Sequence, residues 1–200
     1  MGQGSHQLLA RGAGAEDPIF VALDARWAVP IAETDDVARG RAVALHRVLE
    51  TAAGTPIEAG ARIPLGTMIR VRLFVHVEEG SPERIAVRDP LGAGFESVDA
   101  GLRTTPHASL MALLGASPDD DATDSRGFHA MRTLSHVEHR RFDVHATTFY
   151  LSSLPPGLHE LTYAVRATTP GEFVVPPASI EALRDESFVG RSSALRVAVE

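Results

Sequence analysis

A cluster of imidazole and carboxylate side chains is the part of this sequence best suited to chemistry. The segment HVEH brings together His136, Glu138 and His139, with His129 and His145 nearby. Neutral imidazole and carboxylate groups are good zinc ligands. In a strand, however, the first two side chains share one face and the third points the other way. The zinc-hydrolase motifs HExxH and HxxEH are both missing, so we expect ordinary sheet-surface histidines and no metal site.

Three further segments resemble catalytic or ligand-binding motifs only in part. The acidic segment SPDDDATD lacks the alternating ligands and central glycine of an EF-hand loop, which predicts a solvated loop. No serine lies in the hydrolase motif GxSxG, and Ser117 belongs to a turn sequence. The segment GAGFES follows a strand but opens no helix, unlike a dinucleotide-binding fingerprint. We therefore predict no catalytic residue and no cofactor.

The composition excludes several classes of mechanism. The chain has no cysteine, and all 19 of its basic side chains are arginine. It therefore has no thiolate nucleophile or ligand, no Schiff-base lysine and no phosphate-binding lysine of the Walker type. The net charge of −7 argues against nucleic acid or an anionic membrane as the main partner. No apolar run reaches the roughly 18 residues that a membrane-spanning helix needs.

The elements that position these residues are predicted to be strands. In TMIRVRLFVHV, apolar and other residues alternate over ten positions, which is the period of a half-buried strand. Shorter alternations follow in RIAVRDPL, LHELTYAVRAT, GEFVV and SSALRVAVE. The inward residues of the three clearest strands are predicted to be Ile69, Val71, Leu73, Val75, Val77, Ile85, Val87, Leu161, Tyr163, Val165 and Ala167. The chain is therefore predicted to be all-β, an antiparallel two-sheet β-sandwich of about seven strands.

The predicted domain organisation has two parts. Residues 1–42 are a lead-in that either ends a preceding domain or adds an edge strand. Residues 43–200 form the sandwich, with a long surface insertion at about residues 100–127 in which ASLMALLG can form a short helix. Near the end of the chain, Pro176 and Pro177 must end a strand, because proline cannot donate to a β ladder. A crossing loop and a final strand then close the sandwich, and Tyr163 has two open roles, a tyrosine corner or a plain core residue.

Several segments, in this order, carry a resemblance to a known family. They are VRDPLGAGFESVD, HVEHR, LPPGLHELTYAVRATTPGEFVVPPASIEAL and VGRSS. The chain resembles the C-terminal, receptor-binding-like macroglobulin domain of bacterial alpha-2-macroglobulins over roughly residues 41–200, most specifically over 154–193. Some positions depart from the family pattern. Leu183 and Arg184 stand where Glu-Met-Tyr is often found, and Arg140 is followed by Arg-Phe-Asp instead of Asp-Asp-Arg. The thioester cysteine and the lysines used by eukaryotic receptor-binding domains have no counterpart here.

The resemblance implies a non-catalytic module of an endopeptidase inhibitor that traps proteases by changing conformation. It implies a periplasmic or cell-envelope location as part of a longer exported protein, because MGQGSHQLLARGAG does not have the pattern of a signal peptide. The implied partners are the upstream domains of the same protein and, indirectly, proteases.

The resemblance also implies where such a partner would bind. The crossing loop from Ala178 to Gly190 is expected to be partly exposed and to contact a neighbouring domain through Ile180, Leu183, Phe188 and Val189. Two other functions stay open at this point. One is a free-standing fibronectin-like binding or adhesion module, and the weaker one is a metal-dependent enzyme that uses the region of His136–His139.

Overall fold

The computed structural model describes residues 39–99, 110, 113–114 and 137–200, and the regular structure in them is almost entirely β-strand. The strands are β1 (Arg39–Arg41), β2 (Val43–Glu50), β3 (Ala61–Ile63), β4 (Met68–Val77), β5 (Glu83–Pro90), β6 (Phe95–Val98), β7 (Val137–Phe142), β8 (Ala146–Ser153), β9 (Gly157–Ala167), β10 (Gly171–Val175), β11 (Ser179–Ala182), β12 (Asp185–Arg191) and β13 (Leu195–Val199). The predicted all-β class is confirmed.

Hydrogen bonding groups these strands into sheets that pack as a β-sandwich. A six-stranded sheet has the order β1-β12-β11-β5-β8-β7, a four-stranded sheet the order β2-β4-β9-β6, and a three-stranded sheet the order β10-β13-β3. Neighbours are antiparallel except β13 and β3, which run parallel. The described residues contain more strands than the seven expected, because elements of three to five residues such as β1, β3 and β11 are too short to show a clear alternation.

Strand β4 lies at the centre of the four-stranded sheet and pairs along its length with β2 and β9. Its five predicted inward residues are all buried, with at most 2% of each exposed. The predicted inward residues of β5 and β9 are buried as well. They meet Phe149 of β8 and Phe188 of β12 in one continuous core. The period of two in the sequence therefore located the core face of the longest strands.

The segment from Ala178 to Gly190 is not a crossing loop, so that prediction is wrong. It is a β-hairpin of β11 and β12, which pair with each other and, through β11, with β5. The physical reason is a second, shorter alternation, in which Ile180, Phe188 and Gly190 face inward. Gly190 is needed for space, since a Cβ there would lie 2.9 Å from Cγ2 of Ile180 and 3.1 Å from Cγ1 of Val43.

Part of the predicted surface insertion is buried against the sandwich. Leu110 and Leu113 have helical backbone and are 1% and 4% exposed. They pack on Ala164 of β9, with Met68 and Val98 at the edge of the cluster. The rest of the insertion lies outside the described residues. So does almost all of the lead-in, including its large apolar residues Ile19, Phe20, Val21, Leu23 and Trp27. No helix in the described part of the chain is long and apolar enough to cross a membrane.

Next to this helical segment, charged side chains form a network on the four-stranded sheet. Arg72 binds Glu160 through two hydrogen bonds of 2.6 and 2.9 Å, and also reaches Glu50 at 3.1 Å. Arg70 binds Glu50 and donates to the carbonyl of Leu113 at 3.1 Å. The hydrogen bonds from Arg72 lower the pKa of the Glu160 carboxyl below its ordinary value of 4.5.

Replacing a core residue of β4 with a charge is expected to unfold the domain. Val71 is 2% exposed, and burying an unpaired carboxylate there costs several kcal/mol, about the whole stability of a domain. Val71→Asp should therefore lose its cooperative thermal transition in circular dichroism. His76→Asp on the exposed face of the same strand is the matched control and should keep it. A cooperatively folded Val71→Asp variant would contradict the assignment of β4.

The Arg72–Glu160 pair is expected to make stability depend on pH. Because the folded-state pKa of Glu160 is lowered, its contribution is fully present above the unfolded value of about 4.5 and disappears as the pH falls through the folded value. Urea unfolding of the natural chain and of Glu160→Gln at pH 7 and pH 3 should show a stability difference that shrinks at the lower pH. A constant difference between the two chains would contradict this account.

Candidate functional site: an exposed sheet face backed by a buried ion pair

The histidine cluster does not form a metal site in the described residues. His139 is exposed on β7 and its ring stacks on Tyr150 of β8, with centroids 5.9 Å apart. Glu138 is also exposed. Among the residues that the structure describes, no group of three or more histidine, aspartate, glutamate or cysteine side chains could hold a metal ion. The candidates His129 and His136 lie outside those residues.

The other residues that the sequence offered as candidates for chemistry do not join the histidines in a common site. His145 is exposed in the turn between β7 and β8, and Ser117 with the acidic segment around it lies outside the described residues. In the same hairpin, Arg141 forms an ion pair of 2.9 Å with Asp143. Arg140, next to Arg141 in the sequence, faces inward over Phe149, and its guanidinium carbon lies 5.0 Å from the ring centroid. Burial lowers the pKa of Arg140 to about 10. Although this hairpin departs from the family pattern, it has both an ion pair and a packed arginine.

The most unusual polar feature is an ion pair buried between the two larger sheets. Nη1 of Arg47, on β2, lies 2.6 Å from Oδ1 of Asp89, on β5, and the two side chains are 2% and 1% exposed. The hydroxyl of Tyr163, on β9, donates to Oδ2 of the same aspartate at 2.8 Å. Each carboxylate oxygen therefore has a donor, and the pair links the four-stranded sheet to the six-stranded sheet through the core.

Arg47 also fixes the two connections that flank the β11–β12 hairpin. Its guanidinium donates to the carbonyls of Val175 and Pro176 before the hairpin, at 3.1 and 2.6 Å. It donates to the carbonyl of Ser193 after the hairpin, at 3.2 Å. Buried carbonyls without a partner are costly, and the double proline offers no N–H groups of its own. One side chain therefore holds both ends of the hairpin in place.

Burial sets the protonation of this network. Burial raises the pKa of the Asp89 carboxyl, while the charge of Arg47 and the hydrogen bond from Tyr163 act in the opposite direction. Burial, followed by the negative charge of Asp89, raises the pKa of Tyr163 well above its ordinary value, so its hydroxyl stays a donor. The tyrosine-corner alternative is wrong, because this hydroxyl bonds to a carboxylate and not to upstream backbone. With almost no exposure to solvent, the network braces the two larger sheets against each other.

Sequence reasoning missed this network, although the signal was present. Arg47 is in phase with Leu45 and Leu49 on β2, and Asp89 is in phase with Val87 on β5. A charge at a position that alternation assigns to the core must find a partner, because an unpaired buried charge costs several kcal/mol. One inward cation and one inward carboxylate on facing strands predict that they pair.

The four predicted interdomain contacts separate into two groups. Ile180 and Phe188 are 1% and 2% exposed and belong to the core, so they are not available to another domain. Leu183 and Val189 are 66% and 42% exposed. The first lies in the turn between β11 and β12, and the second on the outer face of β12. Of the four predicted residues, only Leu183 and Val189 are exposed enough to contact another domain, and that contact stays a proposal.

A shallow groove of about 530 Å³ lies beside Leu183 on the outer face of the six-stranded sheet. Its lining includes Arg84, Glu138 and Tyr150. The N–H of Leu183 donates to the carbonyl of Arg84 at 3.0 Å, and Asp185 accepts hydrogen bonds from the N–H and hydroxyl of Ser187 at 2.9 and 2.6 Å. The hairpin therefore presents a large apolar side chain above a groove with charged and aromatic walls.

The fold defines a class, the all-β sandwich module. Residues 43–186 match the family model described as the bacterial alpha-2-macroglobulin MG10 domain. The match covers more than half of the sequence, and the chain belongs to this domain family.

Known relatives are much longer than this chain. It is 27% identical over 154 residues to an alpha-2-macroglobulin homolog from Nostoc sp., a match that covers 77% of this chain and 7% of the relative. The native alpha-2-macroglobulin of Escherichia coli is similar in fold, with a TM-score of 0.63 and 17% identity over 84% of this chain and 10% of that one. A Salmonella alpha-2-macroglobulin gives a TM-score of 0.59 and 14% identity, over 83% of this chain and 10% of its own. The chain therefore spans about a tenth or less of these relatives.

Breaking the buried pair is expected to destabilise the domain strongly. Arg47→Met leaves a buried carboxylate without its counter-ion and should cost about 3–5 kcal/mol of unfolding free energy. Tyr163→Phe removes one hydrogen bond to a charged group and should cost roughly 1.5–3 kcal/mol. The measurement is urea denaturation followed by fluorescence or circular dichroism.

The matched control removes an arginine from an exposed ion pair. Arg62 and Glu200 are 2.7 Å apart with side chains 74% and 55% exposed, and such pairs contribute little to stability. Arg62→Met should therefore unfold at nearly the same urea concentration as the natural chain. Equal stability of Arg47→Met and Arg62→Met would refute the bracing role of the buried pair.

Proposed function

We propose that this chain is a non-catalytic macroglobulin module of a bacterial alpha-2-macroglobulin-like endopeptidase inhibitor. In this role it makes no bond and breaks none. It provides a rigid surface that packs against other domains of the same polypeptide while the whole protein traps a protease by changing conformation. The location that accompanies this function is the periplasm or cell envelope.

The observation that carries the proposal is the match of residues 43–186 to the MG10 domain family. Two further observations support it. The titratable groups of the buried Arg47–Asp89–Tyr163 network brace the two larger sheets. Two of the large apolar side chains that are exposed, Leu183 and Val189, lie on the same hairpin. The relatives are about ten times as long as this chain or longer, and a polypeptide of that length would offer other domains for this surface to contact.

The proposed contact is the exposed part of the β11–β12 hairpin. Leu183 projects from its turn and Val189 from its outer face, and both are large apolar residues that a partner would cover. The hairpin is held by the bonds from Arg47 at both of its ends. A fixed apolar contact of this kind loses little conformational freedom on binding, which favours a specific interdomain contact.

A free-standing binding or adhesion module is the alternative that the same surface allows. It differs in requiring no upstream macroglobulin domains. A metal-dependent enzyme has weaker support, since the described histidine and glutamate side chains do not converge. Sequencing the reading frame that encodes this chain separates the first two functions, because the proposed function requires further macroglobulin domains in it.

The functional test compares trypsin digestion of casein with and without the protein. We expect the full-length polypeptide to slow the digestion and the 200-residue chain alone to have no effect. In the full-length protein, Leu183→Asp should reduce the inhibition several-fold, because it places a charge in an apolar contact. Leu158→Asp is the matched control, since Leu158 is 63% exposed but lies on β9 of another sheet, and it should inhibit like the natural protein. Inhibition by the 200-residue chain alone would overturn the proposed function.

A further inference from the structure

Three exposed arginines lie in one row across the outer face of the six-stranded sheet. The strand registers pair Arg191 with Ser179, Ser179 with Arg88, Arg88 with Thr148, and Thr148 with Arg141. We call these five residues the arginine row. From β12 to β7 its order is arginine, hydroxyl, arginine, hydroxyl, arginine, and on the edge strand β1 the residue that pairs with Arg191 is Arg39.

The row faces away from the core. The residues next to it in sequence on the three central strands, Ile180, Val87 and Phe149, are buried at 1% or less exposed. Because side chains alternate along a strand, the row lies on the opposite face. Arg88 and Arg191 are exposed, and the side chain of Arg141 is 61% exposed.

The guanidinium groups of this row are available for a ligand. Among the residues that the structure describes, Arg88 and Arg191 make no ion pair. Arg141 contacts Asp143 at an exposed site, a kind of pair that contributes little and exchanges easily. The arginines stand on every second strand, so their Cα atoms are about 10 Å apart. That spacing limits their mutual repulsion and leaves each planar donor group free to bind a carboxylate bidentately.

The next row of residues on the same outer face adds apolar and aromatic side chains beside the arginine row. It runs from Val189 through Glu181 and Ala86 to Tyr150 and His139. It contains the exposed aliphatic residue Val189, the exposed carboxylate of Glu181 and the stacked Tyr150–His139 pair. Arginine and aromatic residues are enriched where proteins bind each other. The outer face therefore combines apolar contact area with a line of positive charge.

We propose that the arginine row binds a row of carboxylates on another domain of the same polypeptide. This inference rests on the proposed function and adds the chemistry of the partner. A carboxylate-bearing neighbour would place an acidic group opposite each arginine and cover Val189 and Tyr150 at the same time. The half-exposed hydroxyl of Ser179 can bond to the same carboxylates, whereas Thr148 is only 7% exposed and fills the space between the arginines.

The charge of the chain favours a tethered partner over a free polyanion. The whole chain carries a net charge of −7, so a free polyanion or an anionic membrane is repelled before it reaches the local row. A neighbouring domain needs no such long-range attraction, since the covalent link keeps it at a high effective concentration. At the short distances of a docked face the arginines dominate, because the attraction between opposite charges grows as their separation falls.

The test uses a single thiol placed inside the row. The chain has no cysteine, so Ser179→Cys gives one thiol between Arg191 and Arg88. Its rate of alkylation by iodoacetamide is followed by peptide mass spectrometry, in the 200-residue chain and in the full-length polypeptide. We expect the rate to fall at least tenfold in the full-length polypeptide, because the neighbouring domain covers the row. Leu183→Cys, measured in the same way, reports on the hairpin contact alone.

Two triple variants test whether the domain that covers the row binds it through carboxylates. In the full-length polypeptide, R88E/R141E/R191E should restore rapid alkylation of Cys at position 179, since like charges would face each other. The control R62E/R166E/R196E changes the net charge by the same amount at exposed arginines on the other two sheets, and it should leave the thiol protected. Protection that survives R88E/R141E/R191E would overturn the proposal of a carboxylate partner.

The remaining outcomes separate this inference from the proposed function. If the thiol at 183 is protected in the full-length polypeptide but the thiol at 179 is not, the arginine-row inference fails and the proposed interdomain role stands. If neither is protected, both fail. If alkylation at 179 in the 200-residue chain slows with its own concentration, the occupant is a second copy. If it slows with phosphatidylglycerol vesicles, the occupant is a membrane. Either result overturns the inference.

Discussion

The buried contact between Arg47 and Asp89 is the interaction on which the rest of the domain depends. Taking two charges out of water is costly, and their attraction offsets that cost only when the remaining donors and acceptors are also satisfied. Here both carboxylate oxygens have donors, one from Arg47 and one from Tyr163, and the guanidinium has three further carbonyl acceptors. An apolar pair would pack at lower cost but would tolerate sliding. The ion pair requires one relative position of β2 and β5, and so specifies how the two larger sheets align.

The same arginine also holds the β11–β12 hairpin, which carries the exposed residues Leu183 and Val189. The carbonyls that Arg47 binds lie at both ends of the β11–β12 hairpin, and one strand of that hairpin pairs with β5, which carries Asp89. The exposed residues Leu183 and Val189 therefore lie on a segment that is fixed at its ends and along one side. A second bracket supports it, in which Ala178 and Ser192 exchange hydrogen bonds of 2.9 and 3.0 Å. The exposed residues of this hairpin are therefore connected to the buried ion pair by hydrogen bonds at both ends of the hairpin.

Much of the fold followed from the alternation of residues, and the exceptions have physical reasons. Long strands such as β4 and β9 were predictable because ten or more residues repeat the pattern. The β11–β12 hairpin was not, because two short strands around a turn look like a loop when proline precedes them. For the network of Arg47, Asp89 and Tyr163, alternation along β2 and β5 indicates that both charges face inward and need partners, but only the fold shows that they face one another. The arginine row was beyond reach for a related reason, since its members are far apart in sequence and only the strand registers align them.

The parallel pairing of β3 with β13 sets the order in which the domain can be completed. Ile63 pairs with Val199, so the three-stranded sheet joins an early part of the chain to a very late one. Contacts of this sequence separation form slowly, because the long loop must close before they contribute. Ser193, one of the acceptors of Arg47, also arrives late. During synthesis, β2 and β4 can pair early. The buried guanidinium of Arg47 gains its last acceptor, the carbonyl of Ser193, only when that residue has been synthesised. The molecule therefore reaches its final packing only after residues at the far end of the sandwich have left the ribosome.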